Sequence, residues 1–112
     1  MKIIKFLTLT CLTLVCLTAF AQKPKWEKVN FQVSGNCDMC KTKIEKAAKA
    51  VEGVKTARWN VVSKKMKVKF NPAITNTDKI KQIIASIGYD TEKHKATDEM
   101  YNNLHYCCKY ER

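Results

Sequence analysis

Phe31-Gln-Val-Ser-Gly-Asn-Cys37-Asp-Met-Cys40-Lys-Thr-Lys-Ile-Glu-Lys-Ala-Ala48 passes from one periodicity to another. Val29, Phe31 and Val33 share one face of an alternating run, the pattern of a half-buried strand. Ser34 to Asp38 is a short polar loop. From Met39, Ile44, Ala47, Ala48 and Val51 recur at helical spacing and give one buried stripe. Gly53 is placed to end that helix. A strand therefore runs through a loop into a helix, with Cys37 and Cys40 at the join. Two thiols so spaced at a helix start can face one point. The partial positive charge of the helix N-terminus favours thiolate there. Thiolate binds soft metal and also attacks disulfides, so both a soft-metal clasp and a redox centre are open readings.

The same alternation of elements continues toward the C-terminus. Lys55 to Val61 reads as a strand with Trp59 and Val61 inward. Met66, Val68 and Phe70 alternate with Lys65, Lys67 and Lys69 as in a strand with one wet face. Val62-Ser63-Lys64 is short enough for a hairpin. Asn71-Pro72 stops the third strand. Thr75 to Asp78 holds several N-cap candidates. Ile80, Ile83, Ile84 and Ile87 then form a second helical stripe, closed by Gly88, and Tyr89-Asp90-Thr91 begins a fourth strand. The order strand, helix, strand, strand, helix, strand is the ferredoxin-like βαββαβ sandwich. It predicts two helices on one face of a four-stranded antiparallel sheet, with a short C-terminal extension.

Residues 1–21 carry a different signal. Lys2 and Lys5 precede an uncharged apolar run to Phe20, and Ala19-Phe20-Ala21 has the form of a cleavage site. This pattern predicts a secretory signal peptide, cleaved near Ala21, and a periplasmic or secreted protein without a stable membrane anchor. The apolar run is short for a membrane span. Thr10 before Cys11 and Val15 before Cys16 do not fit a lipid-modified cysteine. Cys11 and Cys16 leave with the signal, and four of the six cysteines remain: Cys37, Cys40, Cys107 and Cys108. Residues 22–25 are a leader, 26–92 the domain and 93–112 a cysteine-containing extension.

The formal charge of +11 falls to +9 without Lys2 and Lys5. An exported basic chain meets little nucleic acid, and the lysines lie in every element. The charge fits a solvated surface, or docking to an acidic partner. An RNA-binding sheet would need aromatics on its inner strands, and Lys64 to Phe70 has only Phe70. No phosphate loop, no nucleophile with a placed base and no paired carboxylates occur, so the chain is not read as an enzyme.

Trp26 to Glu92 resembles the heavy-metal-associated domain family, which includes copper chaperones and the periplasmic mercury-binding protein. The resemblance rests on Cys37-x-x-Cys40 after the first strand, Glu52-Gly53-Val54 after the first helix and Ile87-Gly88-Tyr89-Asp90 after the second. It implies that Cys37 and Cys40 are the metal ligands. Tyr89 matches an aromatic near the metal loop of bacterial members and is expected beside the ligands without binding the ion. Family members commonly carry a methionine before the loop; Gly35 stands there in this chain, and Met39 lies between the cysteines instead.

Two thiolates without a local histidine suit a low-coordination soft ion. Cu(I) is expected, with Hg(II) bound for the same reason. Zn(II), the remaining alternative, prefers four ligands in a structural site. The expected function is uptake of Cu(I) and its transfer by ligand exchange to another metal-binding protein, such as an acidic metal-transporter domain. Thiol–disulfide exchange by the same pair is the competing reading, and an inert Cys37–Cys40 disulfide a third. The neighbours of a thioredoxin-like site are absent.

Ala96 to Leu104 reads as a short helix opened by Thr97. His105, Cys107 and Cys108 follow as a dense group of soft ligands. They form either an accessory metal site that reaches the first loop or, through Cys107 or Cys108, a disulfide. Adjacent cysteines rarely bond to each other. His94 reads as a surface residue. Both apolar stripes lie outside residues 103–112, so the fold is expected to survive removal of that segment.

Overall fold

In the computed structural model, which describes residues 25–112, strands β1 (Glu27–Gln32), β2 (Val54–Trp59) and β3 (Lys65–Phe70) form an antiparallel sheet in the order β1-β3-β2. Helices α1 (Asp38–Lys49) and α2 (Thr77–Ser86) complete the ferredoxin-like pattern, and a short helix α3 (Asp98–Asn102) and one 3-10 turn (Tyr106–Cys108) follow. The expected signal peptide and all but the last residue of the leader lie outside the described residues.

Alternation fixes which sheet face meets the helices. Phe31, Ala57, Trp59, Met66, Val68 and Phe70 are buried, together with Cys40, Ile44, Ala48, Ile80 and Ile84 from the helices. On the opposite sheet face the register sets Lys28 against Lys69 and Arg58 against Lys67. That face is bare and basic.

The fourth strand is reduced to a single antiparallel bridge between Val33 and Thr91 beside β1. Local bonds compete with a longer ladder. The Thr91 N–H turns to the His94 carbonyl at 2.8 Å, and the Gln32 N–H is taken by the Glu92 carboxylate at 2.9 Å. A side chain thus satisfies the donor that a longer fourth strand would have engaged.

Other boundaries move for similar reasons. β2 ends at Trp59, two residues short of expectation, because Asn60 Oδ1 accepts the N–H groups of Val62 and Ser63 and turns the chain. α1 begins one residue early, with Cys37 as its N-cap. Asn76 caps α2, accepting the Lys79 N–H at 2.8 Å, and Thr97 caps α3. The stripe of α2 is rotated from expectation: Ile83 is exposed and Lys81 is buried. The Lys81 stem covers Phe31 while its ammonium lies 5.2 Å from that ring and 3.8 Å from Glu92. A lysine can bury its methylenes and keep its charge partnered.

The extension is not an appendage. Leu104, Cys108 and Tyr110 belong to the same buried cluster as the sheet and helices. Residues 103–112 thus add Leu104, Cys108 and Tyr110 to the core, although no periodic stripe announces them, and the expectation that both apolar stripes suffice leaves these contacts out. His94 is likewise not a merely solvated residue, since its Nε2 lies 2.6 Å from Asp78 Oδ1.

Candidate metal centre

The β1–α1 loop is held from below and from the side. Trp59 Nε1–H donates to the Val33 carbonyl at 3.0 Å, and its ring lies against Gly35. A Cβ on Gly35 would sit 2.8 Å from Trp59 Cη2 and 3.3 Å from Ile44 Cδ1. The tryptophan therefore fills the space beside position 35 and permits only glycine there. Glu45 accepts the Trp59 N–H at 3.0 Å and pairs with Lys41, which ties α1 to the end of β2.

Four thiols meet over this loop. Cys37 Sγ lies 3.4 Å from Cys40 Sγ, 3.7 Å from Cys107 Sγ and 3.9 Å from Cys108 Sγ. The sulfurs of Cys37, Cys40 and Cys108 all fall within 4.8 Å of one another. Cys40 and Cys108 are fully buried, and Cys37 and Cys107 are half-buried. All four are free, so the arrangement contains neither a Cys37–Cys40 bridge nor a disulfide from the tail. Cys107 turns outward, with His105 Nδ1 at 3.2 Å and Met39 Sδ at 3.8 Å. Asp38 is exposed and outside the cluster.

Electrostatics separate the two loop cysteines. The Cys40 backbone amide, in the first turn of α1, holds the Cys37 thiol down to about 7, against the opposing effect of burial. Burial pushes the Cys40 thiol up to about 11, and the Cys108 thiol adds to the rise. Burial also raises Cys107. Cys37 thus forms thiolate near neutral pH, while Cys40 and Cys107 hold their protons to higher pH.

Tyr89 is fully buried, and its hydroxyl has no hydrogen-bond partner among the described residues. Burial, then the adjacent Cys108 and Cys40 sulfurs, raise its hydroxyl well above the usual phenol range. A neutral donor beside two sulfurs is suited to steadying thiolate charge.

The tail is fastened at several points. Asn36 Nδ2 donates to the Lys109 carbonyl at 2.8 Å, which joins the loop directly to the tail. Tyr110 Oη donates to the Gly88 carbonyl at 2.8 Å and accepts the Asp90 N–H at 2.9 Å. Arg112 forks onto both oxygens of Asp90 at 3.1 Å and lies over the Tyr101 ring. Gly88 has φ +113°, and a Cβ there would meet Leu104 Cδ2 at 2.9 Å and the Met100 carbonyl at 3.0 Å. The glycine corner lets α3 and the tail pack close enough to deliver Cys108.

Sequence reasoning singled out Cys37, Cys40, His105, Cys107, Cys108 and Tyr89. The structure gathers Cys37, Cys40 and Cys108 into one group, puts Tyr89 beneath it and leaves His105 with Cys107 on its outer side. Nothing in the sequence pairs Met39 with the tail; its position between the two loop cysteines is the available signal.

The heavy-metal-associated domain profile matches residues 31–90. The copper-exporting P-type ATPase of Staphylococcus epidermidis is 30% identical over 87 residues, 77% of this chain and 11% of that protein. The chain spans about a tenth of the length of the curated relatives it matches. Among solved structures, the CopZ metallochaperone is 26% identical, with 58% of this chain and 98% of that chain aligned and a TM-score of 0.56. Oxidized MerP from Ralstonia metallidurans CH34 is 28% identical over 61% of this chain and 96% of its own, with a TM-score of 0.58.

Proposed function

Because the chain belongs to the heavy-metal-associated domain family, we propose that it captures Cu(I) through Cys37, Cys40 and Cys108 and passes it on by ligand exchange. The observation that carries this reading is the convergence of three sulfurs within 4.8 Å. Metal–thiolate bonds of about 2.3 Å set a linear two-sulfur ion's donors roughly 4.6 Å apart and a three- or four-coordinate ion's donors roughly 3.8–4.0 Å apart. The spacings of 3.4 Å to Cys40 and 3.9 Å to Cys108 favour a third thiolate over the linear pair. Hg(II) is served by the same soft donors. A four-thiolate Zn(II) site is less well supported, since Cys107 stands outside the converging group.

The acceptor is proposed to be another thiolate-bearing metal domain, such as that of a copper transporter. Its incoming thiolate bonds to the ion as one of this chain's thiolates leaves. The excess of lysine suits an acidic partner. An exported location, with cleavage near Ala21, is part of the proposal, and N-terminal sequencing of the secreted protein tests it. No helix among the described residues is long and apolar enough to cross a membrane.

Protein loaded with less than one equivalent of Cu(I) should show three sulfur neighbours by X-ray absorption. Cys37→Ser and Cys40→Ser should abolish tight binding, and Cys108→Ala should weaken it roughly 100-fold against a competing chelator. Two sulfur neighbours and an unchanged Cys108→Ala affinity would return the site to the loop pair alone. Wild-type affinity in both loop variants would remove the copper reading altogether.

A further inference from the structure

We propose that Cys107, His105 and Met39 form a second, outer soft-metal site that shares Cys37 with the inner one, so that a single chain takes up two Cu(I) ions. The proposal rests on the Cu(I) reading of the inner site. Its own ground is a separate set of donors. Cys107 Sγ has His105 Nδ1 at 3.2 Å, Met39 Sδ at 3.8 Å and Cys37 Sγ at 3.7 Å. The two sulfur separations match those of a shared three- or four-coordinate soft ion, roughly 3.8–4.0 Å at bond lengths of about 2.3 Å.

The donor types agree with the distances. Thiolate, thioether and imidazole are a set that favours Cu(I) over hard cations. Packing does not account for Met39, which is 44% exposed and meets the tail through its sulfur. His105 is exposed, and its ring leans on Tyr106 with centroids 4.5 Å apart, which leaves Nδ1 aimed at Cys107. Neither residue supports the core, so neither position is explained by folding.

Cys37 links the two sites. It is the sulfur from which Cys40, Cys107 and Cys108 are all within 3.9 Å. A thiolate has lone pairs for two ions, so Cys37 can bridge an inner ion on Cys40 and Cys108 to an outer ion on Cys107. Each thiol that binds loses its proton to water. Copper remains Cu(I) throughout, and no electron is transferred.

The test is titration of reduced, full-length protein with Cu(I) against a competing chelator, with native mass spectrometry of each mixture. Wild type should reach two ions on one chain. Met39→Leu, His105→Gln and Cys107→Ser should keep the first ion at wild-type affinity and weaken the second by at least about tenfold. Met39 and His105 are surface residues, so their variants report even if Cys107→Ser disturbs the tail. One ion per wild-type chain overturns the outer site and leaves the inner reading intact. A second ion undiminished in the Met39 and His105 variants, or found only in species of two chains, also overturns it. A wild-type protein that binds no Cu(I) fails the inner reading itself.

Discussion

Tyr110 Oη donates to the Gly88 carbonyl at 2.8 Å, and this bond holds the last residues of the chain against the corner that precedes Tyr89. The same hydroxyl accepts the Asp90 N–H. One phenol therefore connects the tail carrying Cys107 and Cys108 to the segment that bridges to β1.

Tyr110→Phe should lower stability by about 1–3 kcal/mol in urea titrations, since the buried Gly88 carbonyl and the part-buried Asp90 N–H lose their partner. The pH dependence gives a second readout. Burial pushes the Tyr110 hydroxyl from 10 up to about 12, so the fold favours the neutral form. Its contribution is fully present below pH 10 and is lost as pH rises through about 12. The phenylalanine variant should lack that part of the alkaline decline. Equal stability of the two proteins at pH 7 would show that the bond contributes nothing.

Gly88→Ala should be costlier than an ordinary helix-end substitution. A positive φ costs an alanine on the order of 1–3 kcal/mol, and the added Cβ meets Leu104 and the Met100 carbonyl. The tail must shift, which carries Cys108 away from Cys37 and Cys40. Thermal melts and Cu(I) competition should both register the change. A lower melting temperature with unaltered Cu(I) affinity would separate the tail's position from metal capture.

Alkylation should distinguish the loop thiols. Cys37, held down to about 7, should react with iodoacetamide first, at a rate that rises through neutral pH as thiolate forms. Cys40 is buried and pushed up to about 11, so it should stay largely unmodified until strongly alkaline conditions. Peptide mass mapping across a pH series reads both. Faster labelling of Cys40 at neutral pH would contradict this ordering.

Insulin reduction and disulfide isomerisation should proceed near background. A low thiol pKa permits exchange, but the residues around the two thiols, Asn36, Asp38, Met39 and Lys41, are not the neighbours that tune and dock a thioredoxin-like site. Turnover comparable to a thioredoxin would make redox exchange the primary activity.

The two halves of the site differ in how plainly the sequence announces them. Cys37 and Cys40 stand at a change of periodicity, from alternation at Val29, Phe31 and Val33 to a helical stripe at Ile44 and Ala48, and local pattern suffices to place them. Cys108 depends on nonlocal packing. Its position follows from Leu104 against Gly88, Tyr110 on the Gly88 carbonyl and Arg112 on Asp90, none of which has a period. The fourth strand is reduced to the Val33–Thr91 bridge for a related reason. Tyr89-Asp90-Thr91 has strand composition, yet the Glu92 carboxylate and the Thr91–His94 turn satisfy the backbone locally. Lys81 enters the core because Phe31 and Glu92 suit its two ends, and hydropathy alone does not reveal that.

The bare sheet face has a consequence for the molecule in salt. Lys28 opposes Lys69 and Arg58 opposes Lys67 across neighbouring strands. Like charges directly opposed destabilise a sheet. Counterions at about 0.1 M reduce the reach of such repulsion to roughly 10 Å, and higher concentrations shorten it further. The sheet should therefore gain stability as ionic strength rises, while the Arg112–Asp90 pair that fastens the tail weakens. At low ionic strength the same repulsion keeps neighbouring copies from stacking sheet to sheet.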